Sequence, residues 1–131
     1  MIVVDTNILA YLYLPTDLSL SAEALLASDS DWAVPVLWRS EFRNIMAGYL
    51  RRGSLTYEAV LAVQTEAEAL VAGAEHEVGS RAVLELVRDS DCSAYDCEFI
   101  ALAKALGVKL VTADKKLLRA FPTVAMGFLA V

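Results

Sequence analysis

Four acidic residues of this chain occupy positions at which a carboxylate can do chemistry. Asp5 and Asp114 each come at the end of an apolar, β-branched run and precede a helical pattern. Each therefore stands at the carboxyl end of a predicted buried strand, which is where open α/β sheets place their ligands. Glu41 and Asp96 lie on the apolar faces of two other predicted helices, and an acid on a buried face is costly unless something pairs with it.

Each of these acids also has a purely structural explanation when it is taken alone. Asp5 is a residue type that caps a helix, and Ser93 with Asp96 fits a capping box. Taken together, however, two acids at strand ends and two in the first turns of inward-facing helices can meet over one edge of a sheet. Four carboxylates so close would repel one another and have raised pKa values unless a cation supplied the counter-charge. Ligation by oxygen alone favours Mg²⁺ or Mn²⁺.

The elements that must position these acids alternate between strand and helix, which predicts a three-layer α/β/α fold with a central parallel sheet. We predict strands at residues 1–4, 32–36 and 108–112, an edge strand at 74–78, and a last strand at 124–126 that can extend to 131. Helices are predicted at residues 8–14, 21–27, 37–52, 54–71, 79–88, 93–106 and 115–121. The side chains predicted to face inward on three of these helices are Trp38, Phe42, Ile45, Met46 and Tyr49, then Tyr57, Val60, Val63, Ala67 and Leu70, and finally Val83, Leu84 and Val87.

Length and composition bound the class of protein. The 131 residues form one predicted domain, and the apolar fraction of 57% is above the usual range. This excess indicates either a very full core or an apolar face used for association. The net charge of −6 argues against a protein that holds nucleic acid by charge alone, but it is compatible with an enzyme whose acids hold cations.

The same composition indicates a cytoplasmic protein. No apolar run is long enough to span a membrane, and the apolar start has no basic flank and contains Asp5, unlike a signal peptide. Two cysteines are too few for a disulfide framework, and reduced thiols are the simplest interpretation.

Cys97 lies beside Asp96 but has no histidine near it in the sequence, so we interpret it as a small core residue rather than a nucleophile. The single histidine, His76, is interpreted as a surface residue. The sequence also lacks a Cys/His zinc cluster, a Gly-rich phosphate loop and a nucleophile elbow.

Four short motifs follow one another along the chain: Val-Val-Asp-Thr-Asn ending at Asn7, Ser-Glu ending at Glu41, Tyr-Asp ending at Asp96, and Val-Thr-Ala-Asp ending at Asp114. In this order they resemble the motifs of the PIN-domain ribonucleases. The length and layout are most similar to the VapC toxins of bacterial and archaeal toxin–antitoxin pairs, and the resemblance covers essentially the whole chain.

The resemblance implies a sheet ordered 3-2-1-4-5 and a Mg²⁺-dependent (or Mn²⁺-dependent) endoribonuclease. Asp5, Glu41, Asp96 and Asp114 match the family's catalytic, metal-holding acids, and Asn7 and Thr112 match polar positions that orient them. The implied reaction is hydrolysis by metal-activated water, leaving a 5′-phosphate and a 3′-hydroxyl. The partners it implies are RNA, a cognate antitoxin protein and a second copy of the chain in a homodimer.

The resemblance leaves some points open. Lys115, Lys116 and Leu117 stand where some members have a further acid, so it does not decide between one and two metal ions. Basic residues near Glu41 and Asp114 are candidates for gripping the RNA backbone, although each could equally be a solvated surface charge; they are Arg39, Arg43, Lys115 and Lys116.

Other classes of protein place acids at the ends of parallel strands. A receiver-like phosphoacceptor module expects adjacent acids after the first strand, and a haloacid-dehalogenase-type phosphatase expects Asp-x-Asp. Here Thr6 and Asn7 follow Asp5, which fits neither. A PIN-like nuclease of RNA processing without an antitoxin, and a PIN-like module that only binds a partner, remain as alternatives.

Overall fold

The computed structural model describes residues 1–128, and within them five strands form one sheet. The strands are β1 (Ile2–Val4), β2 (Trp32–Pro35), β3 (Glu75–His76), β4 (Leu110–Thr112) and β5 (Ala125–Gly127). All neighbouring strands are parallel, in the order β3-β2-β1-β4-β5, with Val3 opposite Ala33 on one side and Leu110 on the other. The predicted fold and strand order are therefore confirmed.

Seven helices connect these strands within residues 1–128. They are α1 (Thr6–Tyr13), α2 (Ser19–Ser28), α3 (Trp38–Arg51), α4 (Tyr57–Leu70), α5 (Ser80–Arg88), α6 (Ala94–Leu106) and α7 (Lys115–Ala120). Side chains cap the first turns of four of them, because Asp5, Thr56, Ser93 and Asp114 each accept a backbone N–H bond there. Gly107 ends α6 in the left-handed conformation, with φ of 68°, which a glycine adopts without a steric cost.

The core lies on both faces of the central strands. β1 and β4 are buried along their whole lengths, and α6 buries six residues against the sheet. On the other side, α3 contributes Trp38 and Phe42, whose rings meet edge to face with centroids 5.5 Å apart. α3 and α6 are thus held firmly, and these are the helices that carry Glu41 and Asp96.

Two predicted core residues are wrong. Leu84 is 59% exposed, and Leu86 is buried in its place. With Val83 and Val87, either Leu84 or Leu86 completes a helical face about 100° wide, and α5 packs against α6 on the side of Leu86. Tyr57 is 58% exposed because α4 starts at that residue, after its cap Thr56, rather than at residue 54.

The remaining boundaries agree with the prediction to within a few residues. The proposed extension of the last strand beyond residue 128 lies outside the described residues. No helix within residues 1–128 is both long and apolar enough to cross a membrane.

Candidate active site

A half-open cleft of about 250 Å³ lies at the carboxyl ends of β1 and β4. All four acids singled out in the sequence line it. The complete lining is Asp5, Thr6, Asn7, Glu41, Asn44, Ile45, Asp96, Phe99 and Asp114. Residues from four separate parts of the chain therefore converge on one small, polar space.

The two acids at strand ends are linked by one buried hydroxyl. Thr112, which is fully buried, donates from Oγ1 to Oδ2 of Asp5 at 2.7 Å. Oγ1 of Thr112 also accepts the backbone N–H of Asp114 at 3.0 Å. Thr112 thus links both acids through its hydroxyl, an arrangement compatible with the orienting role that the resemblance implies for it.

Both of these acids also cap helices. Asp5 accepts the N–H of Asn7 at 3.0 Å, and Asp114 accepts the N–H groups of Lys116 and Leu117 at 2.8 and 3.3 Å. The capping bonds to Asp5 and Asp114 go to Oδ1 in each case, and a carboxylate has several lone pairs. The cap explanation and the site explanation are therefore compatible, since capping holds each carboxylate in place at the edge of the cleft.

Glu41 lies in the first turn of α3 and is half-buried. Its Oε1 accepts a hydrogen bond of 2.8 Å from Oγ1 of Thr6, a residue only 3% exposed. Burial raises the pKa of Glu41, and the nearby carboxylates of Asp5, Asp96 and Glu98 raise it further, while the Thr6 bond opposes the rise. Glu41 is therefore a carboxyl group whose charge is poorly compensated by the protein.

Asp96 is in the same situation. Burial raises its pKa most, followed by the charges of Asp114 and Asp5, while Ser93 and Lys116 oppose the rise. Ser93 caps α6 by accepting the Asp96 N–H at 3.1 Å. Two acids with raised pKa values in one acid-lined cleft indicate a site that favours a cation.

The donor set fits a hard divalent cation such as Mg²⁺ or Mn²⁺. Only oxygen ligands are offered, by the carboxylates of Asp5, Glu41, Asp96 and Asp114, and their mutual repulsion would be relieved by a positive charge. Among residues 1–128, no three carboxylate, imidazole or thiolate groups already stand close enough to share one ion. Mg²⁺ commonly keeps several waters and takes only one or two carboxylates, so this spacing is compatible with it.

Sequence reasoning does not single out two further residues that line the cleft, Thr6 and Asn44, or a nearby acid, Glu98. In the sequence Thr6 is only part of a helix start, yet it is the side-chain partner of Glu41. Asn44 also lines the cleft, and its position three residues after Glu41 on the same helix was a usable signal. Glu98 is a half-buried acid whose pKa is raised by burial and whose charge raises that of Glu41. Its proximity to α3 depends on helix packing and has no signal in the sequence.

The four basic residues predicted to bind the RNA backbone have different surroundings in the structure. None of the four lines the acid cleft. Arg39 makes two hydrogen bonds to Glu75, at 2.6 and 2.7 Å, and an ion pair of 2.9 Å with Glu68. Its guanidinium thus ties α3 to β3 and α4. Arg43 is exposed on α3, and Lys115 and Lys116 are exposed at the start of α7, directly after Asp114.

The fold and the acid cleft together define the class of protein. The chain belongs to the PIN domain family, whose model matches residues 2–121. It is 30% identical over 125 residues to "Ribonuclease VapC3" of Pyrobaculum aerophilum, covering 92% of this chain and 95% of that protein. These matches confirm the resemblance to PIN-domain ribonucleases of the VapC type.

Several solved structures share the fold, and two of them illustrate the likeness. FitAcB from Neisseria gonorrhoeae matches with a TM-score of 0.80 and 17% identity over 100% of both chains. A toxin–antitoxin complex from Klebsiella pneumoniae matches with a TM-score of 0.67 and 15% identity over 96% of both chains. At such identities the likeness establishes the architecture of the chain alone.

Proposed function

We propose that this chain is a divalent-metal-dependent endoribonuclease and the toxin of a toxin–antitoxin pair. The observation that carries the proposal is the convergence of Asp5, Glu41, Asp96 and Asp114 on one cleft. Family membership and a 30% identical relative named as a ribonuclease support RNA phosphodiesters as the substrate.

The residues of the cleft have different roles in this proposal. The four carboxylates would hold Mg²⁺ or Mn²⁺, which supplies a Lewis acid that activates water and stabilises negative charge on the scissile phosphate. Thr112 keeps Asp5 and Asp114 in register. Thr6 holds Glu41 through its hydroxyl. Asn7 lines the cleft, and its backbone N–H orients Asp5.

The thiol of Cys97 has no part in this reaction. Cys97 is fully buried, and burial raises the pKa of its thiol, so the thiolate needed for nucleophilic attack is disfavoured. This leaves hydrolysis by water as the chemistry that the cleft supports best.

Cleavage of RNA by the purified chain tests the proposal. Activity should require Mg²⁺ or Mn²⁺ and stop on addition of a chelator. Asp96→Asn should cost roughly several kcal/mol of transition-state stabilisation, a loss of orders of magnitude in rate. Cys97→Ser is the matched control and should stay within a small factor of the wild-type rate. Cleavage that survives chelation, or that is lost with Cys97 and not with Asp96, would refute the mechanism.

Association with other chains belongs to the same proposal. Tyr57 and Leu61 are 58% and 48% exposed, and they lie one turn apart on α4, so they form an exposed apolar stripe. Leu50 on α3 is also exposed. We infer that α3 and α4 contribute to a homodimer interface, with an antitoxin helix binding a further apolar groove.

Light scattering tests the homodimer. The wild-type chain should scatter as a dimer at micromolar concentration, and Leu61→Glu should shift it to a monomer. Leu84→Glu, at a leucine on α5 that is 59% exposed, is the control and should remain dimeric. A wild-type monomer would refute the dimer and leave the nuclease proposal intact.

A further inference from the structure

A second groove lies beside the acid cleft. It has a volume of about 260 Å³ and is formed between α7 and the loop that precedes α6. It shares no lining residue with the cleft. Its lining is Asp91, Cys92, Lys116, Arg119 and Ala120. We refer to it below as the α7 groove.

The α7 groove is basic in a chain that is otherwise acidic. The six residues of α7 contain Lys115, Lys116 and Arg119 and no acid, whereas the whole chain has a net charge of −6. Arg39 and Arg88 make ion pairs with carboxylates, but within residues 1–128 none of the three α7 cations lies within 4.0 Å of one. Their charge is therefore available to a ligand.

Lys116 joins the two spaces. Its backbone N–H donates to Oδ1 of Asp114 at 2.8 Å, and the same residue lines the α7 groove. Its ammonium group is also near enough to Asp96 to oppose the rise in that residue's pKa. Lys116 and Arg119 are three residues apart and so occupy neighbouring positions on one face of the helix. The groove consequently continues the acid cleft on the side of α7.

We propose that the α7 groove binds a backbone phosphate of the RNA strand next to the scissile bond, through Lys116 and Arg119. The inference rests on the proposed function and adds the path that the substrate takes. A guanidinium group binds phosphate in a bidentate manner, and an ammonium group adds a point charge. Such contacts hold the strand without reading its sequence. They also offset the repulsion between the strand and the acids of the cleft.

Asp91 makes the proposal more specific. Asp91 is exposed and lines the same groove, so its charge would repel a bound phosphate. Removing this charge should strengthen RNA binding, whereas removing the charge of Arg119 should weaken it. Each effect should be larger than that of removing a single charge far from the groove, because salt screens distant charges more strongly than charges in contact with the strand.

The experiment measures binding of a labelled single-stranded oligoribonucleotide by fluorescence anisotropy as salt is varied. All variants carry Asp96→Asn to prevent cleavage. Each phosphate contact contributes about 0.7 to the slope of log K against log salt for a single strand. Arg119→Gln should therefore reduce the slope by about 0.7, and Lys116→Gln with Arg119→Gln by about 1.4. Arg119→Lys should retain the slope, and Asp91→Asn should bind more tightly.

Lys104→Gln is the matched control. It removes the same charge from the far end of α6, about 12 Å along the helix axis from Asp96. Its slope should be that of the parent chain. Arg119 is the more informative groove residue because it lies one turn beyond Lys116, whose backbone N–H holds the carboxylate of Asp114. In the catalytically intact chain, Arg119→Gln should raise KM for RNA and leave kcat within a small factor.

The possible outcomes separate the two proposals. If the wild type cleaves RNA but Arg119→Gln leaves the salt slope unchanged, phosphate binding by the α7 groove is refuted and the nuclease function is not. The same conclusion follows if Lys104→Gln reduces the slope as much as Arg119→Gln does. Groove-dependent binding without any cleavage would overturn the function and leave the groove. A wild-type chain that neither binds nor cleaves RNA would overturn both.

Discussion

The hydrogen bond between Thr6 and Glu41 offers a quantitative test of how the site is built. Thr6→Val replaces the hydroxyl with a methyl group of nearly the same size, so packing is retained and only the bond is lost. A bond to a charged group contributes about 1.5–3 kcal/mol. Glu41 is half-buried and borders the cleft, so water can partly replace the lost donor. We therefore expect the lower value, about 1.5 kcal/mol.

This loss should depend on pH in a defined direction. The pKa of Glu41 is raised in the folded protein, so its ionisation opposes folding, and the Thr6 bond offsets part of that cost. The effect of Thr6→Val should be largest well above the pKa of Glu41 and should shrink as the pH falls and Glu41 takes up a proton. At neutral pH, the melting temperature should fall by about 5 °C for a chain of this size.

Urea denaturation of four chains provides the assay. They are the wild type, Thr6→Val, Glu41→Ala and the double variant, all without metal. If the bond is the cause, Thr6→Val should cost about 1.5 kcal/mol in the wild type and close to nothing once Glu41 is absent. An equal cost in both backgrounds would mean that the hydroxyl acts elsewhere and would refute this account of how Glu41 is held.

Two further predictions concern charge. Because burial and the charges of Asp114 and Asp5 raise the pKa of Asp96, its ionisation opposes folding, and Asp96→Asn should raise the melting temperature of the metal-free chain at pH 7. Mn²⁺ should then stabilise the wild type but hardly the variant, and an equal shift in both would contradict a shared metal site. The pKa of Glu75 is lowered by Arg39, so the pair stabilises the fold above the unfolded-state pKa of Glu75 and is lost as the pH falls through the folded-state value. Glu75→Gln should lower the stability at pH 7 only slightly, since the Arg39 side chain is 36% exposed, and denaturation across the acid range should show a flatter pH dependence than in the wild type.

Much of the fold could be predicted because its signals are local. A β-branched run followed by Asp5 specifies a buried strand and a helix cap within a few residues, and the same pattern recurs at Asp114. The prediction failed where the sequence pattern fits more than one buried face of a helix. Leu84 and Leu86 are both apolar, and only the position of the neighbouring helix decides that Leu86 is the buried one.

The candidate site could be predicted only in part. The acids were recognisable because two of them end strands and two lie on inward helical faces, and all four line the cleft. Arg39 looked like an RNA contact because it is close to Glu41 in sequence. Its guanidinium is instead held by Glu75, which is 36 residues away in the chain. Proximity in sequence was therefore a poor guide to which charges remain available.

By itself, the sequence determined the types of element, their order and the acids at their ends, because capping, strand propensity and helical periodicity act over a few residues. Only the tertiary structure decided which side chains hold those acids. Thr6 reaches Glu41 across 35 residues and Thr112 reaches Asp5 across 107. Such bonds form only after the sheet has brought distant segments together, and their geometry depends on packing that no local pattern encodes.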